Sequence, residues 1–335
     1  MVVVWCMDRT VARTLVESDF FWHSRRVETT HAETMRILQL GDTHLGMALP
    51  TRGGPTDWCR SHDHQAALEE ALQPALRQEV DLVIHTGDVF DRSRPPPEAV
   101  ARAAALFSQV AQRVPLVMLA GNHDRWGLAP HFGGGSARWV LVDQPEQVRV
   151  AGLKVGLVPH CRTADQWGAL VRPAVRGGVD LLVCHQGFVG ARVPGFTFRV
   201  GAPRETVSEA QLPPDALGAV MSGHLHPSQT VRWGPHRVVY AGSTERTSVS
   251  ETHQAKGSVM WTLESRWSWR FVAGRTRPWM PCADLTDLES VDPGDLVSVA
   301  PRLLDRLGSA VSERGGIVVL PRRSGRPSRR QMRLF

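Results

Sequence analysis

Residues 35–46 read MRILQLGDTHLG, an apolar run that ends in a glycine and is followed by side chains able to bind a metal ion. The run at 36–41 is typical of a buried strand, because short continuous apolar segments indicate burial on both faces of a sheet. Asp42 and His44 come directly after it, two positions apart. The segment therefore predicts a strand that delivers a carboxylate and an imidazole to one edge of a sheet.

The same arrangement, an apolar run followed by metal-ligand types, occurs four more times along the chain. The residues are Asp88 after 81–86, Asn122, His123 and Asp124 after 115–120, His185 after 179–184, and His224 and His226 after 218–222. Taken singly, Asp-x-His and Gly-Asp are weak signals, since both are common in turns. Gly-Asn-His-Asp and Gly-His-x-His after a strand are more specific. Together the five segments supply enough oxygen and nitrogen ligands for two metal ions.

Strands and helices alternate over most of the chain, and this alternation predicts the fold class. Helices are predicted at 64–79, with a kink at Pro74, at 97–112 and near 164–172. Further strands are predicted at 153–158, 236–241, 257–263 and 267–273, the last three antiparallel. The pattern indicates an α/β fold in which helices cover both faces of the sheet structure. Ligands in such folds bind where loops leave the strand ends.

Phosphoester hydrolysis explains why carboxylate, amide and imidazole groups would gather at such an edge. Two cations about 4 Å apart can neutralise an anionic phosphate and lower the pKa of a bridging water. A carboxylate shared by the two ions is needed, and Asp88 is the natural candidate. The mixed oxygen and nitrogen donors suit Mn²⁺, Fe²⁺ or Zn²⁺, and the lack of thiolates argues against a structural zinc cage.

Composition narrows the class of protein further. No apolar run approaches the roughly 20 residues needed to cross a bilayer, so no membrane association is expected. The five scattered cysteines form no Cys-x-x-Cys pair, which argues against a disulfide framework and fits a reducing cytoplasm. The net charge of +6 is matched by six arginines, without an acid, in residues 321–335. The rest of the chain is close to neutral, so bulk charge alone does not predict nucleic-acid binding.

Five motifs carry a resemblance to a known family, namely DTH at 42–44, GDVFDR at 87–92, GNHD at 121–124, His185 and GHLH at 223–226. In type and order they resemble those of the calcineurin-like metallophosphoesterase superfamily, over roughly residues 35–263. The segment YAGSTERTSVSE at 240–251, followed by KGSV, resembles more narrowly the SbcD-type DNA repair nucleases. The resemblance implies a four-layer αββα sandwich with a small, reduced C-terminal module. It also implies two divalent metal ions, with Mn²⁺ preferred, and exonuclease activity on DNA in repair and recombination.

The resemblance also implies a role for each residue of these motifs. Seven residues would bind metal, with Asp88 shared by both ions, Asp42, His44 and His226 completing one position, and Asn122, His185 and His224 the other. His123 would not bind metal. It would face the phosphate and protonate the leaving oxygen, with Asp124 orienting its ring.

The predicted organisation has four parts, a loosely ordered extension at 1–34, a catalytic domain at 35–275, a cap-like module at 276–320 and a disordered basic tail at 321–335. The resemblance implies DNA and a coiled-coil ATPase of the SbcC type as partners. The last five residues, Gln331–Phe335, resemble the Q-x-x-L-F peptide that binds the bacterial sliding clamp. The oligomeric state is open, with a homodimer among the alternatives.

Two other functions remain open from the sequence. A calcineurin-like phosphatase or phosphodiesterase acting on a small molecule or a phosphoprotein would use the same ligands. A scaffold with a vestigial site is the second alternative.

Several aromatic residues outside the motifs also carry predictions. Trp58 and Trp126 lie in loops beside the metal-type segments and are candidates for substrate contact. His85 is predicted to be a hydrogen-bonded core residue, and His64 to lie at a solvated helix start. Strand packing is predicted for the later tryptophans, Trp261, Trp267 and Trp269.

Overall fold

The computed structural model describes residues 2–4, 34–47, 60–136, 138–193, 204–276, 279–281 and 317–319. Its elements are numbered in chain order. The helices are α1 (Ser61–Ala71), α2 (Gln73–Leu76), α3 (Pro97–Arg113), α4 (Ala129–Phe132) and α5 (Ala164–Ala174). The strands are β1 (Val2–Val4), β2 (Met35–Leu40), β3 (Leu82–His85), β4 (Leu116–Leu119), β5 (Trp139–Val142), β6 (Glu146–Val150), β7 (Leu153–Val158), β8 (Val179–His185), β9 (Leu217–Gly223), β10 (Gln229–Trp233), β11 (His236–Tyr240), β12 (Gly257–Leu263), β13 (Trp267–Ala273), β14 (Trp279–Pro281) and β15 (Ile317–Val319).

Two six-stranded sheets form the main body. The first sheet has the order β13-β12-β2-β3-β4-β5 and the second has the order β10-β11-β9-β8-β7-β6. In the first sheet β2 to β5 are parallel, and β12 is antiparallel to both of its neighbours. In the second sheet β7, β8, β9 and β11 are parallel, with antiparallel strands at the edges. Parallel neighbours bring their carboxyl ends to the same edge, which is where the metal-type residues follow.

The two sheets pack face to face through a buried apolar layer. Ile37 and Ile84 of the first sheet share this layer with Val183 and Met221 of the second. Because successive side chains of a strand point to opposite faces, the neighbouring residues belong to other layers.

Helices cover the outer face of each sheet. Leu38 packs in a second cluster with Leu68 of α1 and Phe107 of α3. Val220 packs in a third cluster with Trp167 of α5. The layers are therefore helix, sheet, sheet and helix, which confirms the predicted four-layer αββα sandwich.

One buried amide ties the two sheets together close to their carboxyl ends. Nε2 of Gln39 donates to the carbonyl oxygens of Val239, at 3.0 Å, and Ser222, at 3.4 Å. Nε1 of Trp261 donates to Oε1 of the same side chain at 2.8 Å. A buried amide with its donors and acceptor paired is stable inside an apolar layer. Gln39 lies three positions before Asp42, so this link sits next to the first metal-type segment.

Most predicted elements are present close to the predicted bounds. Strands at 153–158, 257–263 and 267–273 are confirmed, and the helix predicted at 64–79 is divided into α1 and α2, with Pro74 in the first turn of α2. Strands β5, β6 and β10 were not predicted. All three lie at a sheet edge, and β6 (EQVRV) is mostly exposed, so its apolar pattern is weak.

The chain divides into two compact units, residues 14–52 with 59–276, which contain both large sheets, and residues 1–13 with 53–58 and 277–335. In the second unit the described strands form a sheet of order β1-β15-β14. Val2–Val4 is thus a strand within the predicted 1–34 extension, and 5–33 lies outside the described residues. Most of the predicted module at 276–320 and all of the tail at 321–335 also lie outside them. No helix in the described ranges is long and apolar enough to span a membrane.

Candidate metal centre

The five predicted segments converge where the carboxyl ends of the two sheets meet. Asp42, Asp88 and the 122–124 segment follow neighbouring strands of the first sheet, β2, β3 and β4. His185 ends β8, and the 224–226 segment follows β9, the adjacent strand of the second sheet. Parallel pairing within each sheet and face-to-face packing between them therefore bring together residues up to 184 positions apart in the sequence.

The backbone at four of these residues adopts a conformation that L-residues rarely use. The φ angles are 49° at Asp42, 44° at His44, 53° at Asp88 and 86° at His224. Such left-handed conformations cost of order 1–3 kcal/mol each and persist where the surroundings enforce them. They turn the chain sharply at the strand ends, so that the side chains face each other across the gap between the sheets.

Two of the glycines before these residues are required by close packing within the site. A Cβ on Gly121 would lie 2.2 Å from Oδ1 of Asp88, and a Cβ on Gly87 would lie 2.3 Å from Nδ1 of His185. Both distances are shorter than any tolerated contact, and the obstructing atoms belong to predicted ligands. The Gly-Asp and Gly-Asn pairs of the sequence are therefore packing requirements of the site as well as turn signals.

One group of predicted ligands consists of Asp42, His44 and His226, whose donor atoms lie within 4.8 Å of one another. Nε2 of His44 lies 3.0 Å from Nε2 of His226. Oδ1 of Asp42 accepts a hydrogen bond from the main chain of His224 at 2.9 Å. Oδ2 of Asp42 is buried and has no hydrogen-bond partner among the described residues. A buried carboxylate oxygen without a partner is costly unless a cation binds it.

The second group lies on the other side of Asp88. Nε2 of His185 is 3.4 Å from Oδ2 of Asp88 and 3.0 Å from Oδ1 of Asn122. Nδ1 of His224 is 2.8 Å from the same amide oxygen. Asp88 also lies 3.9 Å from Nε2 of His44, so its carboxylate contacts both groups. The structure thus brings all seven predicted ligands together, with the predicted bridging residue between the two sets.

Burial and proximity shift the ionisation of these groups strongly. Burial alone would raise the pKa of Asp88, but the adjacent His185 holds it well below its usual range. Burial raises the pKa of Asp42. Burial, reinforced by His226, holds the pKa of His44 well below its usual value. Neutral imidazoles beside carboxylates are the protonation states that divalent cations need, so the donor set fits such ions.

His123 lies beside these groups without joining either set. Its main-chain N–H donates to Oδ1 of Asp88 at 2.8 Å, and its ring meets that of His44 edge to face at 4.8 Å between centroids. Nδ1 of His123 donates to the carbonyl oxygen of Asp91 at 2.6 Å. The ring is half-buried, so it can reach a substrate from the side of the site that is open to solvent.

Asp124 does not orient the ring of His123, and this part of the prediction is corrected. Its carboxylate accepts three main-chain hydrogen bonds, from Gly121 at 2.9 Å, Val89 at 3.2 Å and Phe90 at 3.3 Å. These bonds join the loops that follow β3 and β4. The adjacent position in sequence suggested a contact between the two side chains, but the backbone points the carboxylate inward and leaves the ring to Asp91.

His160 is a site residue that the sequence did not reveal. Its ring lies 5.4 Å from that of His224 and 6.0 Å from that of His185. Burial, followed by the nearby His185, lowers its pKa to about 4. It follows β7, and the rule that polar residues after a strand gather at the sheet edge could have identified it.

Other predictions for aromatic residues have mixed outcomes. His85 is buried and paired with the hydroxyl of Thr43, as predicted for a core residue. The prediction of a solvated His64 was wrong, because His64 is fully buried in α1 and Nδ1 donates to the Thr43 carbonyl at 2.9 Å. Trp58 lies outside the described residues. The three later tryptophans pack in or against the layer between the sheets, as predicted, namely Trp261, Trp267 and Trp269.

The chain has recognisable similarity to known proteins. A family model described as calcineurin-like phosphoesterase matches residues 35–228. The chain is 26% identical over 251 residues to a DNA double-strand break repair protein Mre11 of Methanosarcina mazei, covering 68% of this chain and 36% of that protein. It is 28% identical over 280 residues to the SbcD subunit of the SbcCD nuclease of Rhodobacter capsulatus, covering 68% and 66%. The corresponding protein of Escherichia coli K12 is 37% identical over 95 residues, covering 27% and 21%. The chain thus spans between about a third and two thirds of the first two relatives.

Proposed function

Because the chain belongs to the calcineurin-like phosphoesterase family, we propose that it is a metal-dependent nuclease that hydrolyses phosphodiester bonds in DNA, with a role in DNA repair and recombination. The observation that carries the proposal is the meeting of seven ligand-type side chains in two sets that share Asp88. The named relatives, a double-strand break repair protein and a nuclease subunit, support DNA as the substrate.

The residues would divide the work between two metal positions. Asp42, His44 and His226 would hold one divalent ion, with Asp88 shared, and Mn²⁺ is the proposed metal because mixed carboxylate, amide and imidazole donors suit it. The second ion would be held by Asn122, His185 and His224. The chemistry that such ions supply when bound is neutralisation of the phosphate and a lower pKa for a bound water.

The protein's own contribution to the reaction centres on His123. With Nδ1 donating to the Asp91 carbonyl, the ring is fixed and its Nε2 is left for the substrate. A protonated His123 would donate from Nε2 to the leaving oxygen of the scissile bond, the role of a general acid. Asp124 would act indirectly, since its three main-chain bonds hold the loops that carry Asp88 and His123.

The surface next to the site suits an anionic polymer that also offers aromatic bases. Trp126 is 62% exposed, and among the described residues it is the exposed large hydrophobic side chain. The guanidinium of Arg94 lies 5.5 Å from the centre of its ring. Arg125 and Arg162 are exposed and close enough to His160 to lower its pKa. Arginines with an exposed tryptophan are a common arrangement for binding single-stranded nucleic acid.

The remaining partners are proposed on weaker grounds. An SbcC-type ATPase is proposed because one relative is named as a subunit of the SbcCD nuclease. The clamp-binding role of Gln331–Phe335 falls outside the described residues and rests on the resemblance of that peptide. A homodimer and a cytoplasmic location stay predictions.

A direct assay tests the proposal. Labelled single- and double-stranded DNA and a small chromogenic phosphodiester would be incubated with the protein in Mn²⁺ and, separately, in chelator. We expect DNA cleavage in Mn²⁺ and none in chelator. If DNA stays intact while the small ester turns over, the nuclease is ruled out and the alternative phosphodiesterase is supported. If neither substrate reacts, the vestigial scaffold is supported.

A further inference from the structure

The segment between β11 and β12 buries charged side chains beside the metal centre. Glu245, Glu251 and Lys256 are each about 1% exposed. Charged side chains are rarely buried to this extent unless they are paired, because removing them from water is costly. This segment contains the YAGSTERTSVSE sequence that resembles the SbcD-type nucleases, so its buried charges call for a physical explanation.

Glu251 connects the segment to a proposed metal ligand. Its Oε1 lies 2.8 Å from Nδ1 of His226. Its Oε2 lies 2.7 Å from Nζ of Lys256. The carboxylate is therefore held between an imidazole and a cation.

Thr247 fixes this carboxylate from two directions. Its hydroxyl donates to Oε1 of Glu251 at 2.7 Å, and its main-chain N–H donates to Oε2 at 3.0 Å. The same hydroxyl oxygen lies 2.9 Å from Nδ1 of His226. Both oxygens near Nδ1 of His226 can accept its proton, and the carboxylate can do nothing else in that contact.

Lys256 holds the backbone of the ligand as well as its supporting carboxylate. Its ammonium donates to the carbonyl oxygen of His226 at 3.1 Å and to Oε1 of Gln254 at 3.1 Å. With Glu251 it completes the set of partners that an ammonium can use. His226 is thus held at its main chain by Lys256 and at its ring by Glu251.

These contacts select one tautomer of His226. When Nδ1 carries the proton and donates to a carboxylate, Nε2 keeps its lone pair and becomes more basic. That Nε2 lies 3.0 Å from Nε2 of His44, in the group with Asp42. The free lone pair is therefore directed at the position where the first ion is proposed.

We propose that Glu251, Thr247 and Lys256 form a positioning network that fixes His226 as the Nδ1–H tautomer and so sets the metal affinity of the Asp42, His44 and His226 position. The inference rests on the proposed metal centre. It also explains the YAGSTERTSVSE segment as support for a ligand, where its resemblance alone had suggested only a link to DNA.

The other position has a different kind of support. Nδ1 of His185 donates to the carbonyl oxygen of Thr86 at 2.7 Å. A neutral carbonyl increases the basicity of a ligand less than a carboxylate does. The network should therefore act on one of the two metal positions and leave the other largely unchanged.

Metal titration of a Glu251→Gln variant tests this asymmetry. Calorimetric titration of the metal-free, full-length chain with Mn²⁺ should show two ions in the wild type. In Glu251→Gln we expect one of the two affinities to fall by about 10- to 100-fold, the usual effect of losing a supporting group of a metal ligand. Glu245→Gln is the matched control, since Glu245 is an equally buried glutamate that pairs with Arg60. It should bind both ions as the wild type does.

A second measurement removes the dependence on a variant that folds. Long-range ¹H–¹⁵N spectra of the metal-free wild type report which ring nitrogen of His226 carries the proton, with His226→Gln used to assign its signal. We expect the proton on Nδ1. In addition, Glu251→Asp keeps the charge that pairs with Lys256 but shortens the reach to His226, so it should fold and still weaken one position.

The outcomes separate this inference from the proposed function. A proton on Nε2 of His226, or two unchanged Mn²⁺ affinities in both Glu251 variants, overturns the network. A wild type that binds no divalent ion overturns the metal centre and the network together. A protein that shows the expected tautomer and asymmetric binding, yet leaves DNA intact, retains the network and loses the nuclease function.

Discussion

The carboxylate of Asp88 lies 3.4 Å from Nε2 of His185, although the two residues belong to different sheets. The contact joins the end of β3 to the end of β8 and places one charge between the two proposed metal positions. A change at Asp88 should therefore be felt at both positions.

Replacing Asp88 with asparagine should remove the shared ligand. Both metal positions lose an anionic oxygen, so we expect Mn²⁺ affinity to fall by more than the roughly 10- to 100-fold that loss of a supporting residue costs. Calorimetric titration measures this, and Asp91→Asn is a control for a nearby acid outside the predicted ligand set. Two ions bound with wild-type affinity would show that Asp88 does not bridge.

Replacing His123 with alanine should separate metal binding from catalysis. We expect Mn²⁺ stoichiometry to stay at the wild-type value while the cleavage rate falls by about 10²- to 10⁴-fold, the usual contribution of a general acid. Rate and metal content are measured on the same preparation. A variant that cleaves DNA at the wild-type rate would contradict the assigned role.

Adding one methyl group at Gly121 should disturb the centre. In Gly121→Ala the new Cβ would meet Asp88 at 2.2 Å, so we expect a loss of about 1–3 kcal/mol in the free energy of unfolding and weaker metal binding. Gly134→Ala is the matched control, because nothing lies within 4 Å of its Cβ position. Urea unfolding and metal titration compare the two. Equal stability of both variants would contradict the close packing between Gly121 and Asp88.

Two buried histidines should make the metal-free protein less stable in mild acid. Burial lowers the pKa of His64 and of His85 from 6.5 to about 3. The unfolded chain binds these protons first, so stability is complete above pH 6.5 and is lost as the pH falls towards 3. At pH 5.5 each should cost about 1 kcal/mol relative to pH 8.

Urea unfolding at pH 8 and 5.5 measures that loss. His64→Asn can keep a donor to the Thr43 carbonyl without the titrating ring, so its loss between the two pH values should be smaller than that of the wild type. His62→Asn, at an exposed position of the same helix, is the control. An identical pH dependence in the two variants would show that His64 titrates normally.

Removing the exposed tryptophan should weaken contact with unpaired bases. We expect Trp126→Ala to bind single-stranded DNA more weakly by about 1–3 kcal/mol, the typical value of one stacked base. Trp126→Phe should recover part of the affinity because it keeps an aromatic face. Fluorescence anisotropy with a labelled oligonucleotide in Ca²⁺ measures both. If alanine and phenylalanine bind as tightly as the wild type, Trp126 is not part of the substrate surface.

Much of the architecture follows from local sequence signals. The apolar runs before Asp42 and Asp88 predict strands, and parallel strands place their following residues at one edge. Regular pairing then brings the ligands together without further information. The edge strand β6 escaped prediction because its exposed face weakens the apolar pattern.

The supporting contacts of the site could not be predicted in the same way. Glu251 reaches His226 across 25 positions, and no periodicity or spacing signals a contact between two loops. Asp124 shows the reverse case, in which adjacency to His123 suggested a contact and the turn geometry directs the carboxylate to three main-chain amides. Local patterns predict elements, while loop contacts depend on how the elements are packed.

The link made by Gln39 has a consequence for how such a protein can change over evolutionary time. A single interior amide fixes the spacing of the two sheets within three positions of Asp42 and two of His224. The relative position of the two ligand sets is therefore inherited from the interior of the sandwich. Surface loops that carry residues such as Trp126 can be exchanged, lengthened or lost, so new substrates can be acquired while the hydrolytic chemistry is preserved.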